Sequence, residues 1–290
     1  MSAPMNPGVV QAAAAFVLWG LYPLFFLWLA AVPPLDVVLH RSLWSLAFLV
    51  VVLSARRQWQ WLVPLLRQPR QLLVYATSAL LIAANWLLYV HAVQSGQVLQ
   101  ASLGYFVNPL VNVSLGVLVL QERLRRTQWA AVALAALGVA WLTWTAGTAP
   151  WLALSLALLF GAYALVRKTA QLGALEGLAA ETLLLMPIVV PVLLWRSWPD
   201  GGAFLHNGTL IGVLLLLSGP LTALPLWLFA AAARRLPLAS IGLMQYISPT
   251  LHFVLAVWVF HESFDSTRLL GFAAIWFALV LYSVDAWRGR

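Results

Sequence analysis

Residues 101–122 read ASLGYFVNPLVNVSLGVLVLQE, and a similar stretch returns at residues 239–262 as ASIGLMQYISPTLHFVLAVWVFHE. Each copy begins with Ala-Ser-x-Gly, carries a proline inside an apolar run, and ends on a glutamate. The glutamate lies 13 positions after the proline in both copies (122 − 109 and 262 − 249), and Pro249 follows Pro109 by 140 positions. Such a duplication predicts two similar halves, with a binding site between them.

The composition indicates a membrane protein. Hydrophobic residues make up 63% of the 290 positions and charged residues only 8%, whereas a soluble domain carries about a quarter charged residues. The net charge is +8, but the arginines fall in short loops and form no basic face, so we expect no nucleic-acid partner. The chain has no cysteine, which excludes disulfides, thiolate catalysis and Cys-ligated zinc.

Apolar runs long enough to cross a bilayer recur along the whole chain. A spanning helix needs about 20 mostly apolar residues, and continuous runs argue against a β-barrel, which would alternate apolar and polar residues. We therefore predict an all-α polytopic membrane protein with ten transmembrane helices. The predicted spans are 8–30, 35–54, 71–93, 99–120, 127–146, 150–169, 175–197, 208–232, 239–260 and 267–287.

The basic residues predict the orientation of these spans. They follow every second span, and the loops between carry none, apart from Arg196 and Arg268, which have acids nearby. Under the positive-inside rule we expect both termini to be cytoplasmic. The basic residues concerned are Arg56, Arg57, Arg67, Arg70, Arg123, Arg125, Arg126, Arg167, Lys168, Arg234, Arg235, Arg288 and Arg290.

The two halves are predicted to be inverted repeats, residues 1–148 and 149–290. Five spans per half is an odd number, so the second half enters the membrane from the opposite side. The 140-residue register also pairs Tyr89 with Phe229, and Trp19-Gly20-Leu21-Tyr22 matches residues 160–163 at an offset of 141. The copies differ in one place, because five positions separate Gly104 from Pro109 and seven separate the second glycine from Pro249.

The helix breaks at Pro109 and Pro249 carry the first group of candidate site residues. A proline inside a helix removes a backbone donor and frees carbonyl groups one turn earlier, here near Tyr105 and Tyr246. Freed groups within lipid need partners or a wet cavity. The polar side chains nearby either line a central cavity or form helix–helix hydrogen bonds. They are Asn108, Asn112, Gln245, Ser248 and His252.

Aromatic side chains form the second group of candidates. Asn85 and Tyr89 share one face of the third span at a spacing of four, with Trp86 between them. Aromatic walls with a few hydrogen-bonding groups suit an amphipathic organic solute, although each ring has a packing interpretation as well. The remaining members of this group are Trp19, Tyr22, Tyr163 and Trp227.

Two charges lie inside predicted spans. An unpaired Arg41 would cost about 3 kcal/mol or more at mid-bilayer, and its repeat equivalent, 140 positions later, is Glu181. Inversion places the two at different depths, so we expect no direct pair. We interpret both as structural charges, with Arg41 either reaching outward to Asp36 or contacting a substrate carboxylate.

Enzyme chemistry finds no support in the sequence. No HExxH, no acidic pair with metal-ligand spacing and no Walker-type loop is present, so we predict no catalytic residues, no metal site and no cofactor. Two non-transport hypotheses stay open, namely an intramembrane enzyme acting on a lipid-linked substrate and a membrane scaffold. A homodimer is also open, because the alanine-rich fifth span has a face of small side chains.

Four stretches resemble the RarD-type EamA permeases of the drug/metabolite transporter superfamily. The most distinctive is residues 101–112 with Gln121-Glu122-Arg123, and the resemblance covers essentially the whole chain. The others are His40-Arg41-Ser42-Leu43-Trp44-Ser45, Asn85-Trp86-Leu87-Leu88 and Gln245-Tyr246-Ile247-Ser248-Pro249-Thr250-Leu251.

The resemblance implies two inverted five-helix repeats around a central cavity that opens to alternate sides, built mainly from helices one, three, four, six, eight and nine. Arg41, on helix two, falls outside this set. We therefore expect a secondary transporter that exports a small amphipathic metabolite, amino acid-like solute or drug across the lipid bilayer. The solute, the direction of flux, coupling to protons and the oligomeric state stay open.

Overall fold

The computed structural model describes residues 6–29, 31–94, 98–146, 151–198, 202, 204, 208–258 and 266–288. Within them, the regular elements are helices and no strand is present. The helices are α1 (Pro7–Gly20), α2 (Tyr22–Trp28), α3 (Pro34–Ala55), α4 (Leu62–Leu66), α5 (Pro69–Gln94), α6 (Val98–Leu118), α7 (Arg126–Ala146), α8 (Trp151–Thr169), α9 (Ala174–Ser197), α10 (Gly208–Ala233), α11 (Leu238–Met244), α12 (Ile247–Trp258) and α13 (Ser266–Arg288).

The predicted apolar runs lie on these helices. Eight of the ten runs correspond to one helix each, and the runs at 8–30 and 239–260 correspond to two helices each. Six helices, α3, α5, α7, α8, α9 and α10, are long and apolar enough over their described residues to cross a membrane. Large apolar side chains on their outer faces, such as Leu80, Leu137 and Ile188, are exposed, as a lipid-facing surface requires.

The spacing difference between the two motif copies becomes a difference in helix continuity. In the first copy, α6 continues through Pro109 without interruption. In the second copy, α11 ends at Met244 and α12 begins at Ile247, so that Gln245 and Tyr246 lie in the break. These are residues that the longer second copy contains in addition, and they give the chain room to end one helix before Pro249.

The two halves pack through repeated pairs of helices. Helix α3 packs on α10, and their 140-residue equivalents, α9 and α5, pack on each other as well. Helix α6 likewise packs on α8 as α12 packs on α1. Glycines allow the closest approaches, because a methyl group on Gly20 would lie 2.6 Å from Leu251 and one on Gly161 would lie 2.6 Å from Val111.

The alanine-rich fifth span packs within the chain. Ala131 and Ala135 on α7 are fully buried in one cluster with Ile275 of α13. A methyl group on Gly138 would lie only 2.7 Å from the carbonyl oxygen of Gly271. These small side chains of α7 therefore pack against α13 of the same chain.

Candidate functional site

Arg41 lies inside the bundle, seven residues after the start of α3, which is about 10 Å along the helix. Its Nε donates to Thr222 Oγ1 on α10 at 3.0 Å. The Thr222 hydroxyl itself donates to the Ser218 carbonyl at 2.7 Å, so its oxygen is free to accept from the arginine. The guanidinium carbon lies 4.6 Å from the ring centroid of Trp86 on α5, within the range of a cation–π contact.

Three tyrosines complete the surroundings of Arg41. Tyr22, Tyr89 and Tyr105 lie close enough to interact electrostatically with the guanidinium. The Tyr89 and Tyr105 rings meet edge to face, with centroids 6.1 Å apart. We call the six residues Tyr22, Arg41, Trp86, Tyr89, Tyr105 and Thr222 the Arg41 pocket.

The Arg41 pocket is accessible although it lies between helices. Tyr105 exposes 37% of its surface, and Arg41, Trp86 and Tyr89 are half-buried. The pocket draws on α2, α3, α5, α6 and α10, so both halves of the chain contribute to it. It therefore combines a fixed positive charge, aromatic surface and hydroxyl groups in one accessible place.

A close contact between α3 and α10 positions Arg41. Ser45, one turn after Arg41, donates to the Gly219 carbonyl at 3.0 Å. A methyl group on Gly219 would lie 2.2 Å from the backbone carbonyl carbon of Trp44. Only glycine permits this approach, and it brings Thr222, three residues further along α10, to the Arg41 side chain.

No acid among the described residues forms an ion pair with Arg41. Asp36, which the sequence offered as a partner one turn nearer the helix end, is instead paired with Arg196 through two hydrogen bonds. The expected outward reach of Arg41 to Asp36 is therefore wrong, because α9 presents its own arginine to that carboxylate.

Glu181, the repeat equivalent of Arg41, has a different environment. Its carboxylate lies 3.4 Å from Arg167 Nη1 and accepts hydrogen bonds from Ser78 Oγ at 2.5 Å and from the Tyr163 hydroxyl at 3.5 Å. The Glu181 and Arg167 side chains are only 2% and 1% exposed. We call Ser78, Tyr163, Arg167 and Glu181 the Glu181 centre.

Arg167 corrects one sequence interpretation. Its position beside Lys168 at the end of the sixth span suggested a loop charge on the cytoplasmic side, yet it is buried and bonded to the Ala174 carbonyl at 3.0 Å. Gly177 on α9 makes the room, since a methyl group there would lie 2.1 Å from Arg167 Nη1. A buried glutamate needs a counter-charge, and that requirement is the signal that points to Arg167.

A small cavity of about 20 Å³ lies between the two sites. Its walls include Trp86 and Thr222 of the Arg41 pocket, and Tyr163 and Glu181 of the Glu181 centre. A volume near 10–15 Å³ holds about one water molecule, so the cavity is not itself a solute site. Residues of both sites therefore line one small space.

The polar residues beside the prolines lie in a helix interface in this structure. Asn112 Nδ2 donates to Gln245 Oε1 at 2.8 Å, and Ser248 Oγ donates to the Phe16 carbonyl at 2.7 Å. Asn112 is 0% exposed and Gln245 5%. We call Asn108, Asn112, Gln245, Tyr246 and Ser248 the proline seam; all five are buried, which favours the helix–helix interpretation over the cavity interpretation for this conformation.

The proline seam joins the two motif copies directly. A methyl group on Gly242 of the second copy would lie 2.6 Å from the carbonyl oxygen of Pro109 in the first. Three buried oxygens, Asn108 Oδ1, Asn112 Oδ1 and the Tyr246 hydroxyl, have no hydrogen-bond partner among the described residues. Such atoms are costly in a fixed interior.

The remaining candidates are spread over the bundle. Trp19 packs against Phe160 at 5.9 Å and Phe229 at 5.6 Å in an aromatic core. Asn85 Nδ2 donates to the Leu156 carbonyl at 2.9 Å, and Trp227 lies beneath Arg56 at 5.2 Å. The side chain of His252 lies outside the described residues. Of the aromatic group, Tyr22, Trp86 and Tyr89 therefore meet around Arg41, whereas Trp19, Tyr163 and Trp227 do not.

The motif glutamate of the first copy binds the second copy. Glu122 accepts hydrogen bonds from the backbone nitrogens of Leu238 at 2.7 Å and Ala239 at 3.0 Å, where α11 begins. Its carboxylate also lies 3.6 Å from Lys168 Nζ. Glu122 thus caps the first turn of the partner motif. The equivalent glutamate, Glu262, lies outside the described residues.

Comparison with known proteins identifies the family. Residues 6–144 match the EamA-like transporter family. Over 287 residues, 99% of this chain and 96% of the relative, the chain is 46% identical to an uncharacterized transporter of Pseudomonas aeruginosa. The chain belongs to the EamA-like transporter family. It is therefore a multi-pass membrane protein of a transporter family and not an enzyme.

Two further relatives and one solved structure extend the comparison. The chain is 42% identical to protein RarD of Escherichia coli over 96% of this chain and 94% of the relative. It is 32% identical to the chloramphenicol-sensitive protein RarD of Pseudomonas aeruginosa over 97% and 95%. A protein of known crystal structure, 18% identical, has a similar fold with a TM-score of 0.76 over 98% of this chain and 99% of that chain.

Proposed function

We propose that this EamA-family protein is a secondary transporter that exports a small amphipathic organic solute by alternating access. It spans the bacterial inner membrane ten times, as two inverted five-helix repeats at 1–148 and 149–290, with both termini cytoplasmic. The Arg41 pocket is the solute site. The observation that carries the proposal is this accessible polar and aromatic pocket, built by both halves inside an apolar helical bundle.

Contacts between residues that the proposed repeat makes equivalent support that repeat. Gly20 packs on Leu251 as Gly161 packs on Val111, and the offsets are 141 for the glycines and 140 for their partners. The equivalent rings of Trp19 and Phe160 touch each other, as residues close to a twofold axis between two repeats would. Neither contact follows from apolar composition alone.

The distribution of contacts supports an outward-accessible state. With cytoplasmic termini, Arg41, Tyr89 and Tyr105 all lie nearer the external ends of their helices. At the other end, Lys168 Nζ donates to the carbonyls of Ala233 at 3.3 Å and Leu236 at 2.5 Å, in addition to its pair with Glu122. Opening toward the cytoplasm would require these contacts to break.

Reconstituted proteoliposomes test the transport activity. The flux of labelled amino acids and drugs is measured with and without a pH gradient, and the name of the Pseudomonas relative makes chloramphenicol one of the panel. We expect saturable flux of at least one solute, reduced about fivefold or more by Trp86→Ala, since aromatic contacts in a binding site are each worth about 1 kcal/mol or more. Trp144→Ala is the matched control, because Trp144 is 83% exposed on the outer face of α7. Absence of flux for every solute under both conditions would contradict the proposal.

Thiol labelling tests where the accessible surface lies, and the cysteine-free chain makes single replacements clean. We expect Tyr105→Cys to react with a polar, membrane-impermeant reagent added from outside and Asn112→Cys to remain unreactive, because Asn112 has no exposed surface. Leu137→Cys, on the exposed face of α7 away from its ends, controls for reaction within lipid. Rapid labelling of Asn112→Cys together with protection of Tyr105→Cys would place the accessible site at the proline seam instead.

A further inference from the structure

Arg41 and Glu181 occupy equivalent positions in the two repeats, 140 residues apart, and carry opposite charges. Glu181 has an internal counter-charge in Arg167, 3.4 Å away and equally buried. The first-span register, in which Trp19 matches residue 160 and Tyr22 matches Tyr163, has an offset of 141. It pairs Arg167 with Phe26. The first repeat therefore has an apolar residue where the second repeat has the neutralising charge.

The guanidinium of Arg41 keeps most of its hydrogen-bonding capacity. Its Nε–H binds Thr222, and the two Nη groups carry the other four N–H donors of the side chain. No nitrogen of Arg41 is among the buried, unpartnered atoms, and the residue retains accessible surface. A planar fork of this kind matches a carboxylate, which accepts two parallel hydrogen bonds from it.

The groups around Arg41 suit the rest of an organic anion. The Trp86 face lies against one side of the guanidinium, and the Tyr89 and Tyr105 rings form an aromatic corner next to it. Tyr105, the most exposed member of this group, provides apolar surface together with a hydroxyl group. A membrane charge that lacks an internal partner marks a ligand or ion pathway more often than a packing site.

We infer that the Arg41 pocket binds an organic anion, with a carboxylate on the Arg41 guanidinium and an aromatic or apolar group against Trp86, Tyr89 and Tyr105. The inference rests on the proposed transport function and names the chemical class of its solute. Arg41 acts in it as the residue that discriminates a carboxylate from its neutral analogue. In the first repeat the carboxylate of the ligand neutralises Arg41. In the second repeat Arg167 and Glu181 neutralise each other.

A matched pair of probes tests this assignment on the purified full-length protein in detergent. N-acetylphenylalanine carries the carboxylate, and N-acetylphenylalaninamide replaces it with a neutral group of the same shape. Binding is measured by calorimetry and by the shift in unfolding temperature. We expect the wild-type protein to bind the carboxylate about tenfold tighter or more, since a charged hydrogen bond is worth about one decade in Kd.

Variants of Arg41, and of a second arginine as a control, test which residue causes the preference for the carboxylate probe. Arg41→Gln should abolish the difference in affinity between the two probes, and Arg41→Lys should retain part of it. Arg196→Gln removes an arginine paired with Asp36 outside the pocket and should leave the preference intact. Thr222→Val keeps the charge but removes the acceptor that orients it, so it should weaken the preference several-fold.

Three outcomes would overturn the inference, and the first two need no substitution. They are equal binding of both probes by the wild-type protein, no binding of either, and a carboxylate preference that survives Arg41→Gln. Flux of both probes through wild-type proteoliposomes separates this inference from the proposed function. Equal flux of the two would refute the anion class and leave transport standing, whereas tight carboxylate binding without flux of any solute would refute transport alone.

Discussion

The Arg41 pocket and the Glu181 centre stand at equivalent places in the two halves and differ in almost every physical respect. Glu181 is sealed from solvent, paired with Arg167, and hydrogen-bonded by Ser78 and Tyr163. Arg41 is half-buried, has one hydrogen bond to Thr222 and a ring face beneath it, and has no acid partner among the described residues. Glu181 in the second half has an ion-pair partner within the protein. Arg41 in the first half has none among the described residues and is left to pair with a ligand.

Under the proposed repeat, this difference gives one half a structural role and the other a binding role. A buried charge with an ion-pair partner favours one arrangement of helices, because movement that separates the pair leaves an uncompensated buried charge. An accessible charge with an incomplete set tolerates exchange between water and a ligand. Accessibility and pairing, more than polarity, therefore decide which of the polar residues in this bundle we assign to the solute.

Breaking the Glu181 pair should have the largest effect. Arg167→Met leaves an unpaired carboxylate in the interior, and removing one partner of a buried pair costs about 3–5 kcal/mol. Arg41→Met should cost clearly less, since its site has access to water. Unfolding of the purified variants by denaturant, or their unfolding temperatures, gives the comparison.

The double variant Arg167→Met/Glu181→Leu distinguishes the cost of an unpaired charge from the cost of altered packing. It should recover much of the stability lost in Arg167→Met, because no unpaired charge remains. If Arg41→Met is as destabilising as Arg167→Met, both charges are structural and the contrast between the two sites fails.

Overpacking the α3–α10 contact should have the next largest effect. Gly219→Ala places a methyl group 2.2 Å from the Trp44 backbone, and such overpacking costs about 1–3 kcal/mol. Because this contact brings Thr222 to Arg41, the variant should also lose solute binding. Gly212→Ala on the same helix is the control, as its methyl group would meet its nearest atom at 3.3 Å. Normal binding by a destabilised Gly219→Ala protein would show that the contact does not position Arg41.

Glu122 separates the effect of burial on stability from the effect of ion pairing. Glu122 is paired with a cation as Glu181 is, but its side chain is 13% exposed and that of Lys168 is 21% exposed. Glu122→Ala removes a helix cap, which costs about 0.5–2 kcal/mol, less than we expect for Arg167→Met. Glu122→Gln is the control, because its amide oxygen still accepts one hydrogen bond at α11. Stability losses as large as those of Arg167→Met would mean that pairing, independent of burial, sets the cost.

Helix positions could be predicted from the sequence because apolar length alone determines whether a segment can span a bilayer. The break between α11 and α12 corresponds to a visible feature of the sequence, the two extra residues before Pro249. Arg167 could not be placed in the same way. Its neighbour Lys168 and its place at the end of a run are typical of a loop charge, and its burial depends on the close approach of α9 at Gly177. That approach is a tertiary contact with no local sequence signal.

The candidate site could be predicted only in part, for a related reason. Tyr22, Trp86 and Tyr89 were singled out as aromatic wall residues and do meet in one pocket. Arg41 was interpreted as a structural charge, with contact to a substrate carboxylate as the alternative, and its accessibility depends on how α3 packs on α10. Composition predicts which residues are able to bind a solute, and packing decides which of them are accessible.

The smallest predicted effect concerns the proline seam, where polar residues are paired with each other as in the Glu181 centre but carry no charge. Asn112 Nδ2 donates to Gln245 Oε1 at 2.8 Å across the two motif copies. Hydrogen bonds between membrane helices contribute about 0.6 kcal/mol on average. A double-mutant cycle of Asn112→Ala and Gln245→Ala should therefore give a coupling energy of that order, measured by unfolding in detergent.

The same cycle on Asn85 and Thr222, which are not bonded to each other, sets the background. A coupling energy of several kcal/mol would show that the seam holds the halves together as firmly as the buried ion pair, and a value of zero would mean that Asn112 and Gln245 exchange this bond for water, as residues lining a cavity do.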